Sequence, residues 1–487
     1  MKTVFTMASP ESKGISSENI INFYRKLEEK NYPLHSALLY LNGALISKTY
    51  CAPFKEGQLH RMFSIAKTMT ALAIGILFDQ GKLSPDDKII DYFPEKLSAN
   101  PHPYLKELTI REMLMMRTCY TKTSYNKFDL SSDWVGSFFT ATPDKKSGTV
   151  FHYDTGAAHV LAALVEKLTE TNLMDFLRQS LSELELSSES YMLTDGQGVS
   201  MGGSGYMATT EDLLKVGILL SQKGLYNGKQ LISRQFIETA TSNLTPTLFN
   251  APIPSEACGY GYMIWQTEKE GFVCYGMGGQ FIIAHPKKNL ILVTTSDTQG
   301  YAGGNQILYD AFYENIYENV VSEMPENPEV LASLRSLEAR NSVKTIDRVL
   351  VGSTAASAKR VNDYRPLLEM HCNIPENHNA LGSLTLHTDA TGGTLTLKGD
   401  SNTFTFPFGY ESHAEGTLEK YNATLFGSAV WLNKNTLFLH FQLLGENVGS
   451  IRMELVISEQ DIVLSMRKIE ETLFTEFQGT YVCPISS

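Results

Sequence analysis

The sequence predicts an α+β domain, helices flanking one antiparallel sheet, followed by a C-terminal all-β barrel or sandwich. Three observations carry this. Strand-like runs stand at both ends of the first part of the chain with helical spacing between them. Composition shifts after about residue 318, where SEMPENPEV is proline-rich and acidic. From about residue 380 the apolar pattern turns to period two. The chain therefore divides into 1–320, the α+β domain; 321–365, a helical linker; and 366–487, the β-rich domain.

Taken in order, residues 15–30 place Ile20, Ile21, Phe23, Tyr24 and Leu27 at helical spacing, with Ser16 or Ser17 available as a cap. SALLYLNGALISKTY follows, two apolar runs around Asn42-Gly43, the signature of a two-residue hairpin turn. A buried helix is expected from Ser64 onward. Residues 108–116 form an amphipathic helix capped by Thr109, and 158–168 a further helix reached from FHYDTGA. GGSGYMATTEDLLKVGILL, 202–220, is a glycine-rich loop running into a helix capped near Thr209 or Thr210. Its glycines do not follow a strand in phosphate-loop spacing, which argues against a nucleotide site. Strands are expected at 260–265, 272–276 and 281–296, the last bent over Pro286 to Asn289. LASLRSLEAR is a short helix with leucines at 331, 334 and 337. SLTLHTDATGGTLTLKG is a hairpin with a glycine turn, and TLFLHFQLL and IVLSMRK continue the alternation.

A length of 487 residues exceeds one ordinary core, in keeping with two or three domains. The net charge of −12 argues against a nucleic-acid binder, because a phosphate backbone needs a basic surface. The start lacks an apolar h-region, and the longest apolar run, Met69 to Phe78, is far short of the roughly 20 residues of a membrane span. Six widely scattered cysteines read as reduced thiols of a cytoplasmic chain. His371, Cys372 and His378 lack a second ligand pair, so neither a metal nor another cofactor is expected.

The chemistry centres on HRMFSIAKTMTALAIGILFDQ, residues 60–80. Ser64 and Lys67 are three apart and share one helix face. A helix beginning near Ser64 places its hydroxyl where free amides and the macrodipole favour developing negative charge. Apolar neighbours such as Met69, Leu72 and Ile76 would disfavour the ammonium form of Lys67 by desolvation. A neutral amine one turn from a hydroxyl can take its proton, the arrangement that activates a serine nucleophile. The competing reading is an ordinary helix-start serine. Two other Ser-x-x-Lys pairs exist, Ser124/Lys127 in a loop-like stretch and Ser465/Lys468 in a strand, where i and i+3 face opposite sides.

SIAK at 64–67, YDT at 153–155 and YGMGGQ at 275–280, in this order, resemble the three motifs of the serine β-lactamase and penicillin-binding protein superfamily. The chain is most similar to its β-lactamase-related, class C-like serine hydrolases, which include esterases and D-aminopeptidases, over about residues 9–316. The resemblance implies Ser64 as the nucleophile of an acyl-enzyme and Lys67 as its base. It implies Tyr153 as the proton donor to the leaving group, with Thr155 beside the substrate. The third motif would be an edge strand at Gly276, whose amide at Met277 or Gly278 completes an oxyanion hole with that of Ser64.

Two departures bear on substrate. Thr155 replaces the asparagine of the second motif in the antibiotic-directed branches, and Cys274-Tyr275-Gly276 replaces Lys-Thr-Gly. Without that lysine, a carboxylate loses a charge-assisted hydrogen bond of about 1.5–3 kcal/mol. The expected function is therefore hydrolysis of a small ester, amide or D-amino-acid peptide. The alternatives are a true β-lactamase or D-Ala carboxypeptidase, and a non-catalytic penicillin-binding-like receptor.

Overall fold

The structure is a computed structural model that describes residues 5–125, 129, 132–251, 253–301, 303–351, 364–470 and 473–485. Its two compact units are Met1–Leu27, Leu34–Thr298 and Ala302–Asn341 for the first, and Glu28–Pro33, Gln299–Tyr301 and Ser342–Ser487 for the second.

The first unit has the expected α+β architecture. Helix α1 (Ser17–Glu29) buries Ile20, Ile21, Phe23, Tyr24 and Leu27. The Glu11 carboxylate accepts from the Ser17 amide at 2.6 Å and from its hydroxyl at 3.1 Å, which satisfies free donors at the helix start. Strands β1 (Leu34–Leu41) and β2 (Ala44–Tyr50) form the hairpin, and both turn residues lie at positive φ, Asn42 at 46° and Gly43 at 84°. The sheet is completed by β3 (Trp265–Thr267), β4 (Gly271–Gly276), β5 (Gln280–His285) and β6 (Leu290–Ser296), all antiparallel, in the order β2-β1-β6-β5-β4-β3.

Helices cover this sheet. They include α2 (Ile65–Asp79), α3 (Ile110–Leu114), α4 (Thr155–Thr169), α5 (Thr210–Ser221), α6 (Gly304–Asn315) and α7 (Pro328–Arg340). Thr109 and Glu112 form a reciprocal capping box on α3, and Thr209 caps α5 through the Asp212 amide. Helix α7 packs on β2, where the buried Glu338 accepts from Ser47, which is itself 2.8 Å from the Tyr24 hydroxyl.

One strand expectation fails. Of residues 260–265 only Trp265 is in a strand. Gly261 runs so close to another segment that a Cβ there would lie 2.0 Å from the Ala240 carbonyl, and Met263 adopts φ 55°. The alternation of YGYMIW thus reflects a compact turn with buried rings, since Tyr260, Tyr262 and Trp265 are all buried.

The second unit is a nearly closed barrel. Its strands are β7 (Leu368–Asn373), β8 (Leu381–Thr388), β9 (Gly392–Gly399), β10 (Thr403–Gly409), β11 (Ala414–Leu418), β12 (Ala423–Asn433), β13 (Thr436–Gly445), β14 (Gly449–Ile457), β15 (Asp461–Ile469) and β16 (Gly479–Pro484). They run β7-β8-β9-β10-β12-β13-β14-β15-β16, with β11 on β12 and a bridge from Cys372 to Ile485 joining the two ends. Alternate residues such as Leu384, Leu386, Leu395, Leu397, Phe406 and Phe441 fill the interior. No helix among the described residues of either unit is long and apolar enough to cross a membrane.

Buried histidines give the first unit an acid limit. His35 Nδ1 lies 3.0 Å from His60 Nε2, and His60 Nδ1 lies 3.0 Å from the Arg61 carbonyl. A carbonyl only accepts, so His60 carries its proton on Nδ1, and its Nε2 accepts from His35. Burial pushes His60 down to about 4 and His35 well below the usual imidazole value, and burial likewise takes His285 down to about 4. These rings stay neutral in the fold but take up protons once unfolded. The stability they contribute is complete above about pH 6.5 and is lost as pH falls toward about 4, on the order of 3 kcal/mol for His60 alone. The melting temperature is expected to fall over that interval. An unchanged melting temperature, or one that rises on acidification, would contradict neutral buried imidazoles.

Candidate active site

Helix α2 is nearly all buried, from Ile65 through Leu77, so its first turn is held rigidly against the core. Ser64 is its cap residue, yet its side chain makes no capping hydrogen bond. The hydroxyl is instead engaged with Lys67, whose Nζ donates to Ser64 Oγ at 3.0 Å and to the Gly203 carbonyl at 2.7 Å. Lys67 is 1% exposed. Just before Ser64, Phe63 adopts φ 44°, a left-handed conformation uncommon outside glycine, asparagine and aspartate. It turns the chain sharply into the helix.

Tyr153 enters from the segment before α4. Its phenol hydrogen-bonds to Ser64, and Lys67 Nζ lies 4.6 Å from its ring centroid. Burial drives the phenol above its ordinary value, and the Ser64 bond opposes that rise. The ring stacks on Trp265 at 5.7 Å and meets Tyr260 edge-on at 6.4 Å, which fixes its direction. Next to it Asp154 caps α4 by accepting from the Gly156 amide at 2.9 Å and from Thr118 Oγ1 at 3.2 Å. Burial raises its carboxyl to about 6, while these donors and the Lys67 charge pull it down.

Thr155 is the first residue of α4, and its amide donates to Thr123 Oγ1 at 3.2 Å. The Gly203 backbone sits so close to it that a Cβ on Gly203 would lie 2.6 Å from Thr155 Cγ2. The glycine-rich loop therefore brings its carbonyl to Lys67 because Gly203 has no side chain to hold it away.

Strand β4 supplies the third wall. It is flanked by β3 only through Val273, and its last residues, Cys274 to Gly276, extend past that partner. Gly276 passes the chain just ahead of Ser64 so tightly that a Cβ would lie 2.1 Å from the Met62 carbonyl. Gly278 and Gly279 turn at φ 85° and 91°. The fully buried Gln280 braces this turn, donating from Nε2 to the Met277 carbonyl at 2.9 Å and to the Ser296 carbonyl at 2.8 Å. The Gly278 carbonyl accepts from Thr298 N at 2.9 Å. Because a trans peptide aims its N–H opposite to its C=O, the amides of Gly278 and Gly279 point away from these braces. Cys274, at the position of the expected lysine, is buried, hydrogen-bonded to Thr68, and pushed up to about 12 by burial.

The structure thus brings Ser64, Lys67 and Tyr153 to one point and runs Gly276 beside them, with Thr155 against the Gly203 loop. Of the other Ser-x-x-Lys pairs, Lys127 lies outside the described residues. Ser465 bonds to its neighbour on the adjacent strand, Thr480, at 3.0 Å, while Lys468 Nζ reaches the Leu473 carbonyl at 2.5 Å. Several residues of the site went unnoticed in the sequence, namely the Gly203 carbonyl, Trp265 and Gln280. Only the GGSG run hinted at the first.

Comparison with known proteins follows the same outline. A family model described as Beta-lactamase matches residues 22–311. The 6-aminohexanoate-dimer hydrolase of Paenarthrobacter ureafaciens is 22% identical over 283 residues, 53% of this chain and 72% of that protein. The octameric penicillin-binding protein homologue from Pyrococcus abyssi aligns with a TM-score of 0.50 and 15% identity, covering 96% of this chain and 99% of its own. A penicillin-binding protein homologue from Caulobacter crescentus gives a TM-score of 0.50 and 16% identity over 62% of this chain and 99% of its own.

Proposed function

The chain belongs to the β-lactamase family, and from that we propose that it is a serine hydrolase forming an acyl-enzyme at Ser64 on small ester or amide substrates. The observation that carries this is the meeting of three groups at one hydroxyl, with Lys67 Nζ 3.0 Å from Ser64 Oγ and the Tyr153 phenol hydrogen-bonded to it. In the proposed reaction Lys67 acts as the neutral amine and takes the Ser64 proton as Oγ attacks the substrate carbonyl. Tyr153 then protonates the departing alcohol or amine, and Lys67 restores the phenol. Water repeats the sequence in reverse to free the acid and Ser64. The Ser64 amide and the amide at Met277 or Gly278 hold the developing oxyanion, each such donor being worth on the order of 3 kcal/mol. Thr155 and Gly276 line the floor along which the substrate lies.

Cys274 argues for esters and amides over β-lactams, because a neutral, buried thiol gives a carboxylate no counter-charge. The 6-aminohexanoate-dimer hydrolase among the relatives supports amide substrates. The reading is tested by assaying the protein with a short p-nitrophenyl ester, D-alanine p-nitroanilide and a chromogenic cephalosporin. Turnover of the ester or anilide is expected. Turnover of the cephalosporin alone would instead indicate a β-lactamase, and a stable stoichiometric adduct without turnover would indicate a receptor.

A further inference from the structure

We propose that Gln280 is a positioning residue for the oxyanion hole, its side-chain amide holding the third-motif turn so that a backbone N–H is aimed in advance at the charge developing beside Ser64. The proposal rests on the assignment of Ser64 as nucleophile and names the side chain that readies the donor opposite it. The turn, Met277 to Gly279, has little stiffness of its own. Gly278 and Gly279 both lie at positive φ, and neither has a side chain to restrict its rotation.

Every carbonyl of the turn is nevertheless held. Thr298 N donates to that of Gly278 at 2.9 Å, and Thr294 Oγ1 donates to that of Gly279 at 3.1 Å. Among the described residues, Gln280 Nε2 alone holds the Met277 carbonyl, at 2.9 Å. The same nitrogen donates to the Ser296 carbonyl at 2.8 Å, and Oε1 accepts from Ser296 N at 3.1 Å. Both amide hydrogens are therefore spent on carbonyls and the amide oxygen on an N–H. A flipped amide would set its oxygen against two carbonyl oxygens, so one orientation is allowed. Ser296 ends β6, which lies between β1 and β5 in the sheet. The clamp is thus anchored in the interior of the fold.

The carbonyl that Gln280 holds shares its peptide plane with the Gly278 N–H and sits on the residue that carries the Met277 N–H. These are the two amides able to complete the oxyanion hole. Gln280 also backs the wall of the site. A Cβ on Gly278 would lie 3.1 Å from Gln280 Nε2, and one on Gly276 would lie 3.1 Å from Gln280 Cβ and 2.1 Å from the Met62 carbonyl. Gly276 is pinched between Gln280 and the residue two before Ser64. Nucleophile and donor are in this way referred to one fully buried side chain. A donor fixed beforehand costs no reorganisation as charge develops, whereas a freed Met277 peptide must be reoriented in every turnover. The loss belongs to the transition state and not to substrate binding, so it should appear in kcat and spare KM.

The test is Gln280→Met, which keeps the length of the side chain and removes all three hydrogen bonds. Hydrolysis of p-nitrophenyl butanoate is normalised to the fraction of chains that a fluorophosphonate labels at completion, which counts competent sites. Per labelled site, kcat is expected to fall at least about tenfold with KM within about threefold. Inhibition by phenylboronic acid, whose tetrahedral adduct with a serine oxygen places an oxygen in the oxyanion position, is expected to weaken by a similar factor. A Gln280 that only supports the fold would lower the labelled fraction and leave both per-site quantities unchanged. That result overturns the proposal, and so does a loss confined to KM. If Gln280→Met does not fold, Gln280→Glu, of the same shape but with a carboxyl oxygen facing the two carbonyls, carries the same expectations and is overturned by the same results. Ser64→Ala, run in parallel, separates the two readings. Undiminished hydrolysis there defeats the nucleophile, whereas an inactive Ser64→Ala beside wild-type per-site turnover in Gln280→Met defeats the role of Gln280 alone.

Discussion

Replacing Ser64 with alanine is expected to lower hydrolysis of a short p-nitrophenyl ester by at least about a thousandfold, because a nucleophile and its base act as a unit. Lys67→Ala should do nearly the same. The lysine is 1% exposed and donates to Ser64 and to the Gly203 carbonyl, so no solvent group stands ready to replace it. Ser64→Ala should leave the fold intact, since the Ser64 side chain does not cap α2. Steady-state kinetics alongside far-UV circular dichroism checks both points. Wild-type turnover in a folded Ser64→Ala protein would remove the nucleophile from the scheme.

Gly276→Ala is the second large effect. The added methyl would lie 2.1 Å from the Met62 carbonyl oxygen, which is backbone and cannot rotate aside. Strand β4 and the start of α2 must separate by about 1 Å to restore ordinary contact. A displacement of that size at a reacting centre costs on the order of a hundredfold in rate. Overpacking of a tight interior contact also costs about 1–3 kcal/mol of stability. Turnover and melting temperature should therefore both fall, and the residual rate should not recover on cooling to where the variant is fully folded. A variant with unchanged kcat would show that the β4 approach does not set the geometry of the site.

What the sequence revealed was the part written in short-range chemistry. Asn42-Gly43 and the caps Thr109 and Thr209 each fix a turn or helix start through neighbours within a few residues, and each is found in place. The Ser64/Lys67 pair is likewise one turn of helix, with the hydrogen bond spanning three residues. The all-β tail was equally legible, but barrel and sandwich share the same alternation. Only the bridge from Cys372 to Ile485, made by strands at opposite ends of the domain, tells them apart.

The rest depends on contacts that no local pattern encodes. Gly203 accepts from a lysine 136 residues away. Trp265 holds Tyr153 from another part of the chain, and its alternating neighbours suggested a strand that the close approach of Gly261 to Ala240 prevents. The strand read as an edge is interior over its first half and free only from Cys274 onward, where it passes the serine.

The most direct test of the central claim is the intact mass of the protein after exposure to a fluorophosphonate probe, followed by mapping of the labelled peptide. One adduct per chain is expected, on Ser64, and none on Ser64→Ala. Labelling at Ser124, Ser465 or any other residue with Ser64 unmodified, or no labelling of a folded protein that still turns over its ester, would contradict it.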